Sequence, residues 1–142
     1  MTVRGDLLDS VHTALLDSTS AERNVYASRT DALGRGTQRS ILVRLAGAEE
    51  FDERSTEETD ARRLPVQLVA FARKPEALVT LAEEIDDVLA MLMRDGLMRE
   101  LPLPSFGDSQ GEEPRPEQPV WFAVWELRLP YRVSIDDPSQ EA

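Results

Sequence analysis

The sequence predicts an α+β fold of two layers, in which two helices pack on one face of a mostly antiparallel, four-stranded sheet. Two segments show the apolar spacing of amphipathic helices, and four segments show apolar runs or alternation typical of strands. The strands come in runs with helices at intervals, which favours α+β over a regular βαβ alternation. The chain of 142 residues is long enough to bury one core, so we assign residues 1–135 to a single domain.

Both helices are predicted from apolar residues that recur at helical spacing. The first, over residues 6–17, carries one apolar stripe and has acidic residues in its first turn, where the helix dipole favours them. The second begins near Pro75, a residue suited to a first helical turn, and ends at Gly96, the residue type that a left-handed C-cap prefers. Its predicted core stripe is Leu78, Leu81, Ile85, Val88, Leu89 and Leu92.

The predicted strands are residues 24–28, 40–46, 61–73 and 120–134. Pro65 lies in the third of these and lacks the N–H that a central ladder position uses, so we expect a sheet edge or a bulge there. The last strand is apolar on both faces near residues 121–125, which a sheet covered on one side alone does not bury. Acidic residues 48–60 and proline-rich residues 101–119 are predicted loops, and residues 136–142 are a predicted acidic tail.

Composition excludes several kinds of site. Because there are no cysteines, disulfides, zinc–thiolate sites, iron–sulfur clusters and cysteine nucleophiles are excluded. The formal net charge of −11 disfavours sequence-specific binding of nucleic acid. No apolar run approaches the roughly 20 residues of a membrane helix, and the first residues lack the pattern of a signal peptide, so we expect a soluble protein that does not enter a membrane.

No motif for catalysis or for a bound cofactor is present. His12 has no second histidine to complete a metal or nucleophile site, and the sequence contains neither a Gly-x-Ser-x-Gly elbow nor a phosphate loop. The acids of residues 49–60 lack the pattern of a calcium-binding loop. Glu83, Glu84, Asp86 and Asp87 are predicted to form the solvated face of the second helix. We therefore expect a structural or binding protein with no catalytic residue, no metal site and no cofactor.

One segment and the order of the elements match a known pattern. The match begins at residues 7–16 in the first helix and continues through residues 25–32, an extended arm with an arginine-centred turn. Its most characteristic piece is residues 41–50, Ile-Leu-Val-Arg-Leu-Ala-Gly-Ala-Glu-Glu, where a strand runs into Gly-Ala-Glu. A strand over residues 63–73, the second helix and a last strand ending near residues 129–133 complete it. This arrangement resembles the tail terminator proteins of long-tailed phages, such as that of phage lambda.

The resemblance implies a structural role in the virion. Tail terminators have a mixed α/β fold and assemble as a hexameric ring, which caps the tail tube and ends its polymerisation. The other side of the ring docks the head-completion or neck proteins, and DNA passes through the lumen without being read. Magnesium favours ring assembly in this family. By this resemblance the chain is expected at the head-proximal end of the tail, and in the host cytoplasm before assembly.

A cyclic ring needs two different surface patches on each subunit, and four residues are candidates for contacts with a neighbouring subunit or partner. Trp121 and Trp125 lie in the strand that is apolar on both faces, and a place in the ordinary core is the open alternative for both. Arg29 centres the turn of the extended arm. Phe51 is the one apolar side chain in the acidic stretch around it, which favours a contact with a partner.

Three other functions stay open at this point. A head–tail connector or neck protein also forms a ring, and it is distinguished by binding the portal side instead of the tube protein. A small acidic adaptor that binds a basic partner through residues 49–60 is distinguished by being a monomer or dimer that ignores tail tubes. An enzyme with a site built from carboxylates alone, such as Glu83 and Asp86, is distinguished by losing its function when those residues are replaced.

Overall fold

The structure is a computed structural model that describes residues 3–27, 38–51, 59–108 and 120–134. Within these residues two helices and six strands are present. In chain order they are α1 (Val3–Leu15), β1 (Val25–Ala27), β2 (Arg39–Leu45), β3 (Glu50–Phe51), β4 (Thr59–Ala72), α2 (Pro75–Arg94), β5 (Ser105–Asp108) and β6 (Trp121–Ser134). The predicted acidic tail, residues 136–142, lies outside the described residues.

The strands form one mixed sheet in the order β1-β2-β4-β6-β5, and β3 pairs with β4 beyond the end of β2. All pairs are antiparallel except β1 with β2, which are parallel. The α+β class is therefore confirmed, whereas the prediction of four strands was wrong in number. The two additional strands, β3 and β5, lie in the segments predicted as loops, and at 2 and 4 residues they are too short to show alternation in sequence.

Both helices pack on the same face of the sheet, as predicted. Strand residues of one parity supply one side of the core: Ile41, Val43, Leu64, Val66, Leu68, Ala70, Ala123, Trp125, Leu127 and Leu129. The helices supply the other side with Val11, Leu15, Leu78, Leu81, Ile85, Val88, Leu89 and Leu92. All six apolar positions predicted for the stripe of α2 are buried. Gly96 follows the end of α2 with a φ of +87°, the left-handed conformation that the sequence predicts for it.

Pro65 lies in β4, a central strand between β2 and β6, at a place where the missing N–H costs no hydrogen bond to β2. The last pair of the β2–β4 ladder is Leu45 with Val66, and pairing resumes with Glu50 opposite Arg63. The four residues 46–49 that connect β2 to β3 thus lie opposite only two residues of β4, Leu64 and Pro65. The carbonyl of Pro65 accepts a hydrogen bond from the amide of Ala46 at 3.3 Å, so the ring nitrogen also faces this interruption. Of the two expectations for Pro65, the bulge-like interruption describes the structure.

The side chains of the opposite parity form the second face of the sheet, away from the helices. Around Leu42 of β2, Val69 of β4 and Val124 of β6 this face is apolar, and Leu42 and Val69 are buried there. Its other half is polar and carries a ladder of side chains across three strands. Arg44 Nε donates to Gln67 Oε1 at 2.7 Å, and Gln67 Nε2 donates to Glu126 Oε1 at 3.0 Å. These three residues are directly opposite each other in the β2–β4–β6 register.

Candidate functional site

The turn between β2 and β3 places Glu49 at the end of the sheet. Gly47 has a φ of +101°, a conformation that a side chain would strain, and it lets the chain turn where the β2 ladder ends. The chain then enters β3, whose Glu50 and Phe51 pair with Arg63 and Arg62 of β4. The Gly-Ala-Glu segment singled out in the sequence is therefore the connection that delivers two adjacent carboxylates to a cluster of arginines.

Glu49 joins the first helix to the two long strands. Its carboxylate accepts a bidentate pair of hydrogen bonds from Arg4 of α1, with Nε to Oε1 at 2.6 Å and Nη2 to Oε2 at 2.9 Å. The hydroxyl of Tyr131 in β6 donates to Oε1 at 2.5 Å, and Arg62 of β4 lies 3.8 Å from Oε2. The Arg4 guanidinium also lies 5.8 Å from the centroid of the Tyr131 ring. One carboxylate thus ties α1, β4 and β6 together.

These contacts alter the titration of the groups in the cluster. The hydrogen bonds from Arg4 hold the pKa of Glu49 below its usual value, against the opposing effect of burial. Burial raises the pKa of the Tyr131 hydroxyl, and the adjacent Glu49 carboxylate raises it further. The hydrogen bond to Glu49 likewise raises the pKa of Arg4. At neutral pH the cluster therefore holds an ionised carboxylate and a protonated tyrosine, which suits a structural contact better than proton transfer.

A second group of charges lies beside this cluster, on the second face of the sheet. Glu50 lies 3.1 Å from Arg63 of β4 and 3.8 Å from Arg128 of β6, measured between carboxylate oxygen and guanidinium nitrogen. Arg63 and Arg128 also line a groove of about 300 Å³ between this face and residues 99–102. The groove has apolar walls from Leu101, Pro102 and Pro130, and its charged lining is Arg63, Arg99, Arg128, Glu100 and Glu126.

The structure describes three of the four residues predicted as contacts, and these three lie apart from one another. Trp125 is fully buried in the core, and its indole N–H donates to Asp86 Oδ1 of α2 at 3.0 Å, so the alternative of an ordinary core residue describes its place. Trp121 begins β6 and packs, partly buried, against the edge of the core. Phe51 lies in β3 opposite Arg62. Arg29 lies outside the described residues. The three described positions, Phe51, Trp125 and Trp121, are spread along the β4–β6 ladder and do not form one patch.

Of the four acidic side chains predicted to form the solvated face of α2, two are half-buried and two are exposed. Glu84 accepts a hydrogen bond from the Ser20 hydroxyl at 2.6 Å, and Asp86 accepts the bond from Trp125. Both of these carboxylates are half-buried, so the prediction of a solvated face was wrong for them. The reason is that they border the core stripe, where α2 meets its neighbours. Glu83 and Asp87 are exposed, as predicted.

Glu49, Arg4 and Tyr131, which form the best-connected polar cluster of the described residues, were not singled out by the sequence as a site. Local pattern does not reveal them, because the three residues are separated by 45 and 82 positions along the chain. His12 also has a structural contact, since its Nε2 lies 2.8 Å from the carbonyl oxygen of Val25. Within the described residues, no three histidine or acidic side chains are grouped to hold a metal ion. No helix in this part of the chain is long and apolar enough to cross a membrane.

Comparison with known proteins finds similarity among solved structures. No protein-family model matches the chain, and no curated protein matches it. Among solved structures, the chain is similar to the sheath/tube terminator of an extracellular contractile injection system, PVC, in its extended state. The TM-score is 0.36 and the sequence identity 12%, over 97% of this chain and 59% of that one, so the chain spans less than two-thirds of the neighbour. The similarity is to a terminator of a contractile system and is not specific to that of phage lambda.

Proposed function

We propose that this chain is a structural protein that caps a phage-type tail tube as a hexameric ring and ends the polymerisation of the tube. In this role one side of the ring contacts the tube protein, and the other side docks the head-completion or neck proteins. The protein lies at the head-proximal end of the tail in the virion, and it is in the host cytoplasm before assembly. The role is not catalytic and requires no resident cofactor.

The observation that carries the proposal is the place of the Gly-Ala-Glu segment. This segment is the most characteristic part of the sequence resemblance to tail terminators, and in the fold it delivers Glu49 and Glu50 to the arginines of α1, β4 and β6. The segment that carries the resemblance to the family therefore also links α1, β4 and β6 within the subunit. A rigid subunit is what a closed ring needs, because each interface must repeat at the same angle.

Charge also supports a role in which DNA passes without being read. Each subunit has a formal net charge of −11, so a ring multiplies a strongly negative charge around its lumen. A negative lumen repels the DNA backbone and discourages it from adhering during passage. Among the described residues, Arg4 is paired with Glu49, and Arg63 and Arg128 are paired with Glu50, which reduces the positive charge that these arginines offer to a phosphate backbone.

The mass of the assembled protein tests the ring. We expect native mass spectrometry across a concentration series to show a discrete species near six times 15.9 kDa. By the family resemblance, Mg²⁺ should shift the balance toward that species, and Ca²⁺ in place of Mg²⁺ separates a general effect of divalent charge from a specific one. A discrete dimer that persists at all concentrations, with or without Mg²⁺, would contradict the hexameric ring and favour the adaptor alternative.

A further inference from the structure

The two layers of the domain differ in charge. Helix α2 carries five carboxylates and one arginine, so it contributes a net charge of −4. On the second face of the sheet the balance is reversed. By strand register, the charged residues on that face are Arg44, Arg63, Arg128, Arg132, Glu50 and Glu126, which give a net charge of +2. Among the described strand residues this face is therefore positive, although the chain has a net charge of −11, and it lies on the side of the sheet opposite the acidic helix layer.

The outward side of α2 has a regular ridge, which we define as Val79, Glu83, Asp87 and Met91. These residues follow each other at intervals of four and therefore form one row along the helix, about 18 Å long. All four are exposed, and the apolar ends Val79 and Met91 are 53% and 45% accessible. Among the described residues the side chains of Glu83 and Asp87 form no hydrogen bond or ion pair, unlike those of Glu84 and Asp86 of the same helix.

The groove on the second face has the complementary chemistry. It combines three arginines and two glutamates with apolar walls, one of which is the partly exposed Leu101, so its charged lining is net positive. The acidic centre and apolar ends of the ridge are therefore complementary to a set of arginines flanked by leucine and proline. The ridge and the groove lie on opposite sides of the two-layer domain, so they cannot meet within one subunit. Two different patches that fit each other produce a head-to-tail contact, which closes into a ring when the rotation between subunits allows it.

We infer that the Val79–Glu83–Asp87–Met91 ridge of one copy docks in the Arg63–Arg99–Arg128 groove of the next copy. The occupant of the groove is a second copy of this chain. This inference rests on the proposed function, because it names the interface that joins the subunits of the proposed ring. In this contact Glu83 and Asp87 form ion pairs with guanidinium groups of the groove. Val79 and Met91 become buried against its apolar walls, Leu101, Pro102 and Pro130.

Charge reversal tests the interface, because net repulsion and the specific contact predict opposite results. The double variant Glu83→Arg/Asp87→Arg has a net charge of −7 in place of −11, so reduced repulsion alone would tighten assembly. The ridge–groove contact predicts instead that the midpoint concentration of assembly rises by about tenfold or more. The matched control Asp9→Arg/Glu22→Arg makes the same change of net charge at exposed positions outside the ridge and groove, and it should assemble as well as the unaltered chain.

Mixing two variants keeps the test independent of folding defects. Arg128→Glu should weaken assembly alone, as should the double ridge variant. An equimolar mixture of the two variants should restore assembly when they alternate around the ring. The unaltered ridge of the Arg128→Glu variant then meets the unaltered groove of the ridge variant, and the charge-reversed ridge meets the charge-reversed groove. Native mass spectrometry reads the alternating composition of the mixed ring. If rings form and persist in each variant alone, or if the mixture fails to restore them, the inference is overturned and the proposed function stands. If the unaltered chain forms no ring and caps no tube, both are overturned.

Discussion

Trp125→Ala is expected to lower the free energy of unfolding by about 3–5 kcal/mol, the usual cost of truncating a buried tryptophan to alanine. Trp125 is fully buried, lies opposite Leu68 in the β4–β6 ladder and belongs to the core beneath the helices. Because a domain of this size has only about 5–15 kcal/mol of stability, the variant should lose a large part of it. Urea unfolding followed by far-ultraviolet circular dichroism measures the loss.

Asp86 separates the packing of Trp125 from its hydrogen bond. Asp86→Ala leaves the buried indole N–H without its acceptor, at an expected cost of about 1–3 kcal/mol. Asp86→Asn keeps an acceptor oxygen and should cost clearly less. Glu83→Ala is the matched control, because it removes an exposed carboxylate from the same helix and should change stability by less than about 0.5 kcal/mol. A loss below about 1 kcal/mol for Trp125→Ala would show that this side chain does not fill the core as described.

Replacing Glu49 is expected to have the second-largest effect. Glu49→Ala removes the acceptor of the bidentate bond from Arg4 and of the bond from Tyr131, and it removes the carboxylate oxygen that lies 3.8 Å from Arg62. Hydrogen bonds to charged groups contribute about 1.5–3 kcal/mol, and the side chain of Glu49 is only 26% exposed, so we expect a loss of about 2–3 kcal/mol. Glu50→Ala is the matched control, since its carboxylate is 48% exposed and makes longer contacts.

The pH dependence of stability gives the cluster a distinct signature. Because folding lowers the pKa of Glu49, its contribution is fully present above the pKa of the unfolded carboxyl, about 4, and is lost as the pH falls through the lower folded value. Folding raises the pKa of Tyr131, so its contribution is present below about 10 and is lost as the pH rises through the higher folded value. Glu49→Gln should flatten the acid limb and weaken the alkaline one. Parallel curves of stability against pH for this variant and the unaltered chain would contradict the described contacts.

The long, regular elements could be predicted from sequence because their pattern is local. Helix α2 is an example, since every apolar position of its stripe is buried and Gly96 has the backbone conformation expected after its end. The strands β3 and β5 could not be predicted, because they are paired by contacts with distant parts of β4 and β6 instead of by their own alternation. Pro65 shows the same limit, since its tolerance in a central strand depends on where β2 ends.

The polar contacts are less predictable than the core. Glu84 and Asp86 have the residue types and helical spacing of an exposed acidic face. Their carboxylates nevertheless accept hydrogen bonds from Ser20 and Trp125, which lie elsewhere in the chain. Glu49 lies in a segment that the sequence identifies as acidic, but its partners lie in α1, β4 and β6. The sequence therefore shows which segments are acidic. The packing of strands and helices decides which of their carboxylates form hydrogen bonds and ion pairs.

The growth of tail tubes in the presence of this chain tests the proposed function most directly. Purified tube protein is polymerised with increasing amounts of the chain, and tube lengths and ends are measured by negative-stain electron microscopy. The proposal predicts that tubes stop growing with a ring of density at one end, and that Phe51→Ala weakens this capping if Phe51 contacts the tube. A head–tail connector would instead bind portal-side proteins and leave tube growth unchanged. Tubes that elongate freely with bare ends at every concentration of the chain would contradict the proposal.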